Sequence, residues 1–129
     1  MLLVDTSVWI EILRRNSRLR PAVDEISQFV SCPPIVQEVL QGLAPSREAK
    51  EFRSLFLALP LAGNPVTLAF FLNASDIFAL GRRKGLTIRS SVDCLIAAIA
   101  IENDLEVWHQ DRDFATIARF TSLKQRVLA

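Results

Sequence analysis

The run Ser90-Ser91-Val92-Asp93-Cys94-Leu95-Ile96-Ala97-Ala98-Ile99-Ala100-Ile101 constrains this chain more than any other stretch. A serine opens it, and apolar side chains then cover every face of the helix it encodes. Such a helix has to be buried on all sides. Asp93 is the only charge in the run. In the first turn the helix dipole favours an anion by ~0.3–1 kcal/mol. Desolvating a lone carboxylate costs several kcal/mol, so the dipole does not suffice. Asp93 therefore needs a neighbouring cation, a proton or a wet crevice. The plainer reading makes it a buried helix N-cap.

A second carboxylate sits in a comparable place. Met1-Leu2-Leu3-Val4 is a short apolar run, the pattern of a strand covered on both faces in a parallel sheet. Asp5 ends it, and Thr6 and Ser7 supply N-cap chemistry for a helix from Val8 to Arg15. Asp5 itself as the N-cap is the alternative. Either way a carboxylate stands at the carboxyl end of a buried strand, where open α/β sheets place their ligand crevice.

Between these stretches the pattern alternates in the α/β manner. Asn16 to Pro21 reads as an arginine-rich connection, Ala22 to Ser27 as a short helix and Gln28 to Cys32 as a second strand. Pro33-Pro34 starts a helix running to about Leu43, with Ile35, Val36, Val39, Leu40 and Leu43 on its apolar side and Glu38 near that side. Gly42 and Pro45 end it. Ser46 caps a further helix with Phe52, Leu55, Phe56 and Leu59 at helical spacing, and Pro60 to Pro65 breaks it. From Val66 to about Arg83 the stripe is Leu68, Phe71, Leu72, Ser75, Phe78 and Ala79. These two helices are expected to pair or lie flat on the sheet, and their surplus Phe and Leu point to a partner surface. Gly81 to Arg89 reads as a basic loop carrying Arg82, Arg83, Lys84 and Arg89. Leu105 to Trp108 is a third strand, His109 to Phe114 opens a helix through Phe120, and Leu123 to Val127 is a last edge strand.

Composition sets the limits. At 129 residues, half of them apolar with a mean hydropathy of +0.28, the chain is expected to be one domain, 1–129, with a substantial core. No apolar run reaches the ~18 residues of a membrane span, and no signal peptide is evident. Cys32 and Cys94 lie in apolar contexts, as small buried hydrophobes in a reducing compartment do, so a cytoplasmic, bacterial-type protein is expected.

Asp5, Asp93, Asp111 and Asp113 all fall at strand ends or helix starts, and Glu38 follows the second strand. In a right-handed parallel sheet those positions converge on one edge. Converging carboxylates repel unless a hard cation lies between them, and Mg²⁺ or Mn²⁺ suits oxygen ligands. That chemistry supports metal-assisted phosphodiester hydrolysis. With these five set aside, 9 of the 14 acids face 15 Lys and Arg, a balance of about +6 that suits a polyanionic substrate.

The segments Val4-Asp5-Thr6-Ser7-Val8-Trp9-Ile10-Glu11, Glu38 in its helix, Asp93-Cys94-Leu95-Ile96-Ala97-Ala98 and Asp111-Arg112-Asp113-Phe114 together resemble the PIN-domain ribonucleases, more narrowly the VapC toxins of type II toxin–antitoxin pairs. The resemblance spans essentially the whole chain. It implies a PIN-like three-layer α/β/α domain with a central, mainly parallel sheet. It also implies that Asp5, Glu38, Asp93 and Asp111 form the Mg²⁺ site of a single-strand-specific endoribonuclease. Ser7 matches the small hydroxyl residue accompanying the first acid, and Asp113 is the variable fifth acid. His109 departs from the Thr or Ser many members carry there; its ring could donate to a phosphate or to Asp111, or stand partly exposed as a spectator. Arg82, Arg83, Lys84 and Arg89 are read as RNA contacts because they precede the Asp93 helix. The family's habits add a homodimer and an antitoxin whose C-terminal peptide enters the active-site groove.

Other chemistries fit less well. The Asp-x-Asp-x-Thr of haloacid dehalogenases is missing after the first strand, and no glycine-rich phosphate loop occurs. A Cys94/His109 thiol hydrolase would need an exposed Cys94. The remaining rival is a catalytically inactive RNA- or protein-binding domain on the same fold.

Overall fold

The computed structural model describes residues 1–129. Its sheet has four strands, β1 (Leu2–Val4), β2 (Phe29–Val30), β3 (Glu106–His109) and β4 (Lys124–Val127), in the order β2-β1-β3-β4 with every pair parallel. Seven helices surround it: α1 (Thr6–Leu13), α2 (Val23–Ile26), α3 (Pro33–Gln41), α4 (Arg47–Leu57), α5 (Leu68–Arg83), α6 (Ser91–Glu102) and α7 (Arg112–Ala118). Because all strands run the same way, their carboxyl ends share one edge, and α1, α3 and α7 begin there. None of the helices is long and apolar enough to cross a membrane.

β1 is central and buried throughout, as its apolar run requires, and its ladder continues past Val4 when the Asp5 N–H donates to the Trp108 carbonyl at 2.9 Å. Asp5 is the N-cap of α1: its carboxylate accepts from the Ser7 N–H at 3.1 Å. Thr6 and Ser7 therefore lie inside the first turn, which corrects the start expected at Val8. β2 is shorter than the expected strand. Ser31 leaves it for an isolated parallel bridge to Leu61, and Cys32 becomes the N-cap of α3 with Pro33 and Pro34 in its first turn.

α6 is enclosed as its sequence demands. Cys94 and the run Ile96–Ala100 are buried, and α5 packs along it. The face that α5 turns inward is not the large-residue stripe, however. Ala74, Ile77 and Gly81 are its buried residues, while Leu68, Phe71 and Leu72 are 71%, 51% and 57% exposed. Small side chains let the helix approach closely. A Cβ on Gly81 would meet Ile88 Cδ1 and Phe120 Cζ at 3.0 Å. Gly81, Arg82 and Arg83 form the last turn of α5, with Lys84 as its C-cap, so only the residues beyond them make the basic loop.

α4 does not pair with α5. Phe52 and Phe56 pack on the Trp9 ring at centroid distances of 5.7 and 5.2 Å, with Phe29 on the same ring at 5.8 Å. Edge-on aromatic pairs of this kind add about 0.5–1.5 kcal/mol each beyond area burial. Leu55, expected on the packed stripe, is 73% exposed.

Candidate metal centre

Five carboxylates meet at the carboxyl edge of the sheet. Asp5 follows β1; Asp111 follows β3 and is the N-cap of α7; Asp113 lies in the first turn of α7 and Asp93 in that of α6. One carboxylate oxygen from each of Asp93, Asp111 and Asp113 falls within 4.8 Å of the others. Asp5 is near enough to feel the charge of Asp111, and Glu38, reaching in from α3, feels both Asp5 and Asp111. None of the five takes part in the four ion pairs of the molecule.

Four of these side chains are held by specific partners. Ser7 Oγ donates to Asp5 Oδ2 at 2.6 Å and accepts from the Gln110 N–H at 2.9 Å, tying β1 to the loop after β3. Thr6 Oγ1 donates to Glu38 Oε1 at 3.1 Å, which orients an otherwise half-buried carboxylate. Asp111 Oδ1 accepts from the Asp113 N–H at 2.9 Å. Asp113 accepts from the Arg89 N–H at 3.1 Å and the Ser90 N–H at 2.9 Å, so it clamps the chain entering α6.

Asp93 differs. It is buried, and its Oδ2 has no hydrogen-bond partner. Burial first, then the charges of Asp111 and Asp5, push its carboxyl up to about 9. In the metal-free chain near neutral pH Asp93 thus carries a proton, which gives it a hydroxyl to share with Asp111 or Asp113. Burial also raises Asp5 and Glu38 above the ordinary carboxylate range, opposed by their bonds to Ser7 and Thr6. An orphaned buried oxygen among all-oxygen donors, with no cation at hand, is the setting a hard divalent ion fits.

The structure thus brings Asp5, Glu38, Asp93, Asp111, Asp113 and Ser7 to one place. His109 departs from both roles offered for it. It is 1% exposed; its Nδ1 accepts from the Asp111 N–H at 3.1 Å and its Nε2 lies 2.6 Å from Gln125 Oε1. Those partners require the neutral Nε2–H tautomer, so the ring reaches neither a phosphate nor the Asp111 carboxylate. It ties the loop carrying Asp111 to the edge strand β4. Arg82, Arg83, Lys84 and Arg89 are all exposed and free of carboxylate partners, and the Arg82 guanidinium lies 5.1 Å over the Phe78 ring. Cys94 is buried, and burial pushes its thiol up to about 11, which leaves the thiol-hydrolase reading no nucleophile. Thr6 and Gln125 escaped the sequence reading. Adjacency to Asp5 was an available signal for Thr6, whereas nothing local marks Gln125.

A parallel α/β sheet with an acidic cluster at its carboxyl edge defines a class, and the comparisons agree with it: the PIN domain family matches residues 2–120, and the chain belongs to that family. Within it the chain stands with the VapC ribonucleases. It is 35% identical over 130 residues to VapC ribonuclease Mb1587 of Mycobacterium bovis, covering 96% of each chain. Among solved structures, VapBC2 from Rickettsia felis, bound to a DNA fragment from its promoter, superposes with a TM-score of 0.70 at 14% identity, covering 99% of this chain and 98% of that one. VapBC-5 of Mycobacterium tuberculosis, a member of the VapBC family of toxin–antitoxin systems, gives a TM-score of 0.60 at 19% identity over 98% and 95% of the two chains. At those identities the two structures speak for the fold alone.

Proposed function

We propose that this chain is a metal-dependent endoribonuclease, the toxin of a toxin–antitoxin pair, folded as one cytoplasmic nuclease domain. The observation that carries the reading is the orphaned, buried Asp93 beside Asp111 and Asp113 within 4.8 Å. The ribonuclease name of its M. bovis relative supports it. Asp5, Glu38, Asp93 and Asp111 would hold Mg²⁺, with Mn²⁺ as a substitute, since both take carboxylate oxygens. Such an ion supplies charge neutralisation and Lewis acidity toward a phosphodiester and its attacking water.

The chain's own groups do the rest. Ser7 and Thr6 aim the Asp5 and Glu38 carboxylates, and His109 and Asp113 hold the two segments that carry Asp111 and Asp93. The exposed Arg82, Arg83, Lys84 and Arg89 lead the RNA backbone in from the α6 side. Replacing Arg82, Arg83 and Lys84 by Ala should weaken RNA binding evenly across sequences and flatten its salt dependence.

A homodimer and a small antitoxin complete the proposal. The toxin–antitoxin character of the VapBC relative supports it, as does the exposed apolar face of Leu68, Phe71 and Leu72, although Phe52 and Phe56 are occupied by Trp9. A monomer by light scattering at micromolar concentration, with nothing co-purifying, would count against this part.

The deciding experiment is cleavage of single-stranded RNA with Mg²⁺ or Mn²⁺ and with EDTA, by the parent and by Asp93→Asn. Chelator-sensitive cleavage that the substitution abolishes is expected. A parent that binds RNA without cutting it would favour the inactive binding domain.

A further inference from the structure

The arginine-rich connection after α1 folds into a wall of a polar cavity of about 570 Å³. Arg14, Arg18 and Asn16 line it from one side, and Gln110 and Leu128 from the other. A space of this size accommodates a nucleotide-sized group. Gln110 is the link to the chemistry. Its backbone N–H donates to Ser7 Oγ, which donates to Asp5, and the next residue is Asp111. The cavity therefore begins one residue from the acidic cluster, on the α1 side, away from the Arg82–Arg89 segment.

The loop is built rather than loose. Ser17 is buried; its hydroxyl accepts from the Leu19 N–H at 3.1 Å, and its own N–H donates to the Arg14 carbonyl at 3.0 Å. The opposite wall is fixed by the Leu128 N–H donating to the His109 carbonyl at 2.8 Å. Arg18 has no carboxylate partner, and Arg14 has only a surface contact to Glu11, which also lines the cavity, at 3.4 Å. An exposed pair of that kind is worth little and yields readily to a better anion. A guanidinium offers a planar fork of donors that matches phosphate. From Ser7 to Arg14 is seven residues of α1, roughly 10 Å along its axis, a reach of a few nucleotides.

We propose that this cavity is a second RNA subsite, in which Arg14 and Arg18 hold a backbone phosphate a few nucleotides from the bond being cut. The subsite rests on the ribonuclease reading and extends it. The strand then enters past Arg82 and Arg89, crosses the acidic cluster and leaves over α1.

The test compares the parent with the double variant Arg14→Ala/Arg18→Ala, using fluorescent random pools of single-stranded RNA of about 12 and about 4 nucleotides, lengths that bracket a nucleotide-tracking groove. Binding is read by anisotropy in EDTA across a salt series. On the longer pool the variant should bind about tenfold more weakly, and its log–log salt slope should fall by about 1.4 for two lost contacts to a single strand. Its cleavage deficit with Mn²⁺ should be larger on the longer pool than on the shorter. Thermal melts should coincide, since both arginines are exposed. An unchanged salt slope, or equal deficits at both lengths, overturns the subsite. Loss of a co-purifying protein with RNA binding intact assigns the cavity to that partner and overturns it too. A parent that binds RNA without cutting it sinks the nuclease reading alone, and the salt slope still decides the subsite.

Discussion

The two ends of the same sheet treat their acids in opposite ways. At the amino edge Asp104 pairs with Lys124 at 2.7 Å and Glu106 with Arg126 at 2.9 Å, across neighbouring β3 and β4. At the carboxyl edge Asp5, Glu38, Asp93, Asp111 and Asp113 gather without one cation. Both edges are built from one parallel ladder, so backbone geometry does not explain the difference. One edge is electrostatically satisfied by its own residues. The other is satisfied only by protons, by main-chain N–H groups or by an ion from solution. That deficit, more than the number of acids, is what marks the functional edge.

The sharpest way to break the contrast is to remove an acid from the unsatisfied edge. Asp93→Asn, and likewise Asp5→Asn or Asp111→Asn, should lower RNA cleavage by more than about 100-fold, since loss of a supporting group alone reaches 10–100-fold. Residual cleavage near the parent rate would remove that acid from the ion site.

Next in size is the ion's effect on stability. A ligand bound only by the native state adds about 2.7 kcal/mol at 100 times its Kd, a rise on the order of 10 °C for a domain of this size. Mn²⁺ should raise the melting temperature of the parent by that order and EDTA should reverse it. Asp93→Asn should lose most of the shift while being at least as stable as the parent in EDTA, because it removes a carboxyl from a crowded site. Equal metal shifts in parent and variant would refute Asp93 as a ligand.

The same deficit sets a pH dependence. Between its ordinary value of 3.8 and about 9, folded Asp93 keeps a proton that the unfolded chain has released. The native state binds more protons across that window, so metal-free stability should fall as pH rises through it. Asp5 and Glu38, raised in the same direction, add to the slope just above their ordinary values. Urea midpoints in EDTA, from mildly acid to alkaline pH, should decline for the parent and decline less for Asp93→Asn. Metal affinity should run the other way and strengthen with pH, because the ion displaces the proton.

A milder change sharpens the picture at the edge of the cluster. Ser7→Ala removes the 2.6 Å bond to Asp5 and strands the Gln110 N–H. A cost of about 1–2 kcal/mol in stability and a 10–100-fold loss of cleavage are expected. Smallest of all, Lys124→Ala or Arg126→Ala breaks an exposed pair at the satisfied edge. Denaturation should register about 1 kcal/mol or less, and cleavage should not change. A large effect there would erase the distinction between the two edges.

Much of this was legible in the chain, and the misses share a cause. The buried α6, the strand that ends at Asp5 and the double-proline start of α3 follow from local patterns, because burial on every face or a missing N–H leaves one solution. The wrong face of α5 was chosen by size. Large apolar residues dominate a stripe visually, but close helix packing selects small ones, and Ala74, Ile77 and Gly81 carry it. His109 looked like a reactive outlier. Its burial depends on Gln125 standing opposite through the β3–β4 ladder, and on Phe114 packing at 5.2 Å.

By itself, then, the sequence determined the alternation of strands and helices and the acids that stand at their junctions, since periodicity, capping and the cost of burying charge act over a few neighbouring residues. It also determined that Asp93 must have a compensating partner or proton. Only the tertiary structure decided which groups answer for which acid: Ser7 and Gln110 meet across 103 positions, and Asp113 reaches back 24 to Arg89. Those pairings come from sheet order and register, which arise from the packing of the whole chain.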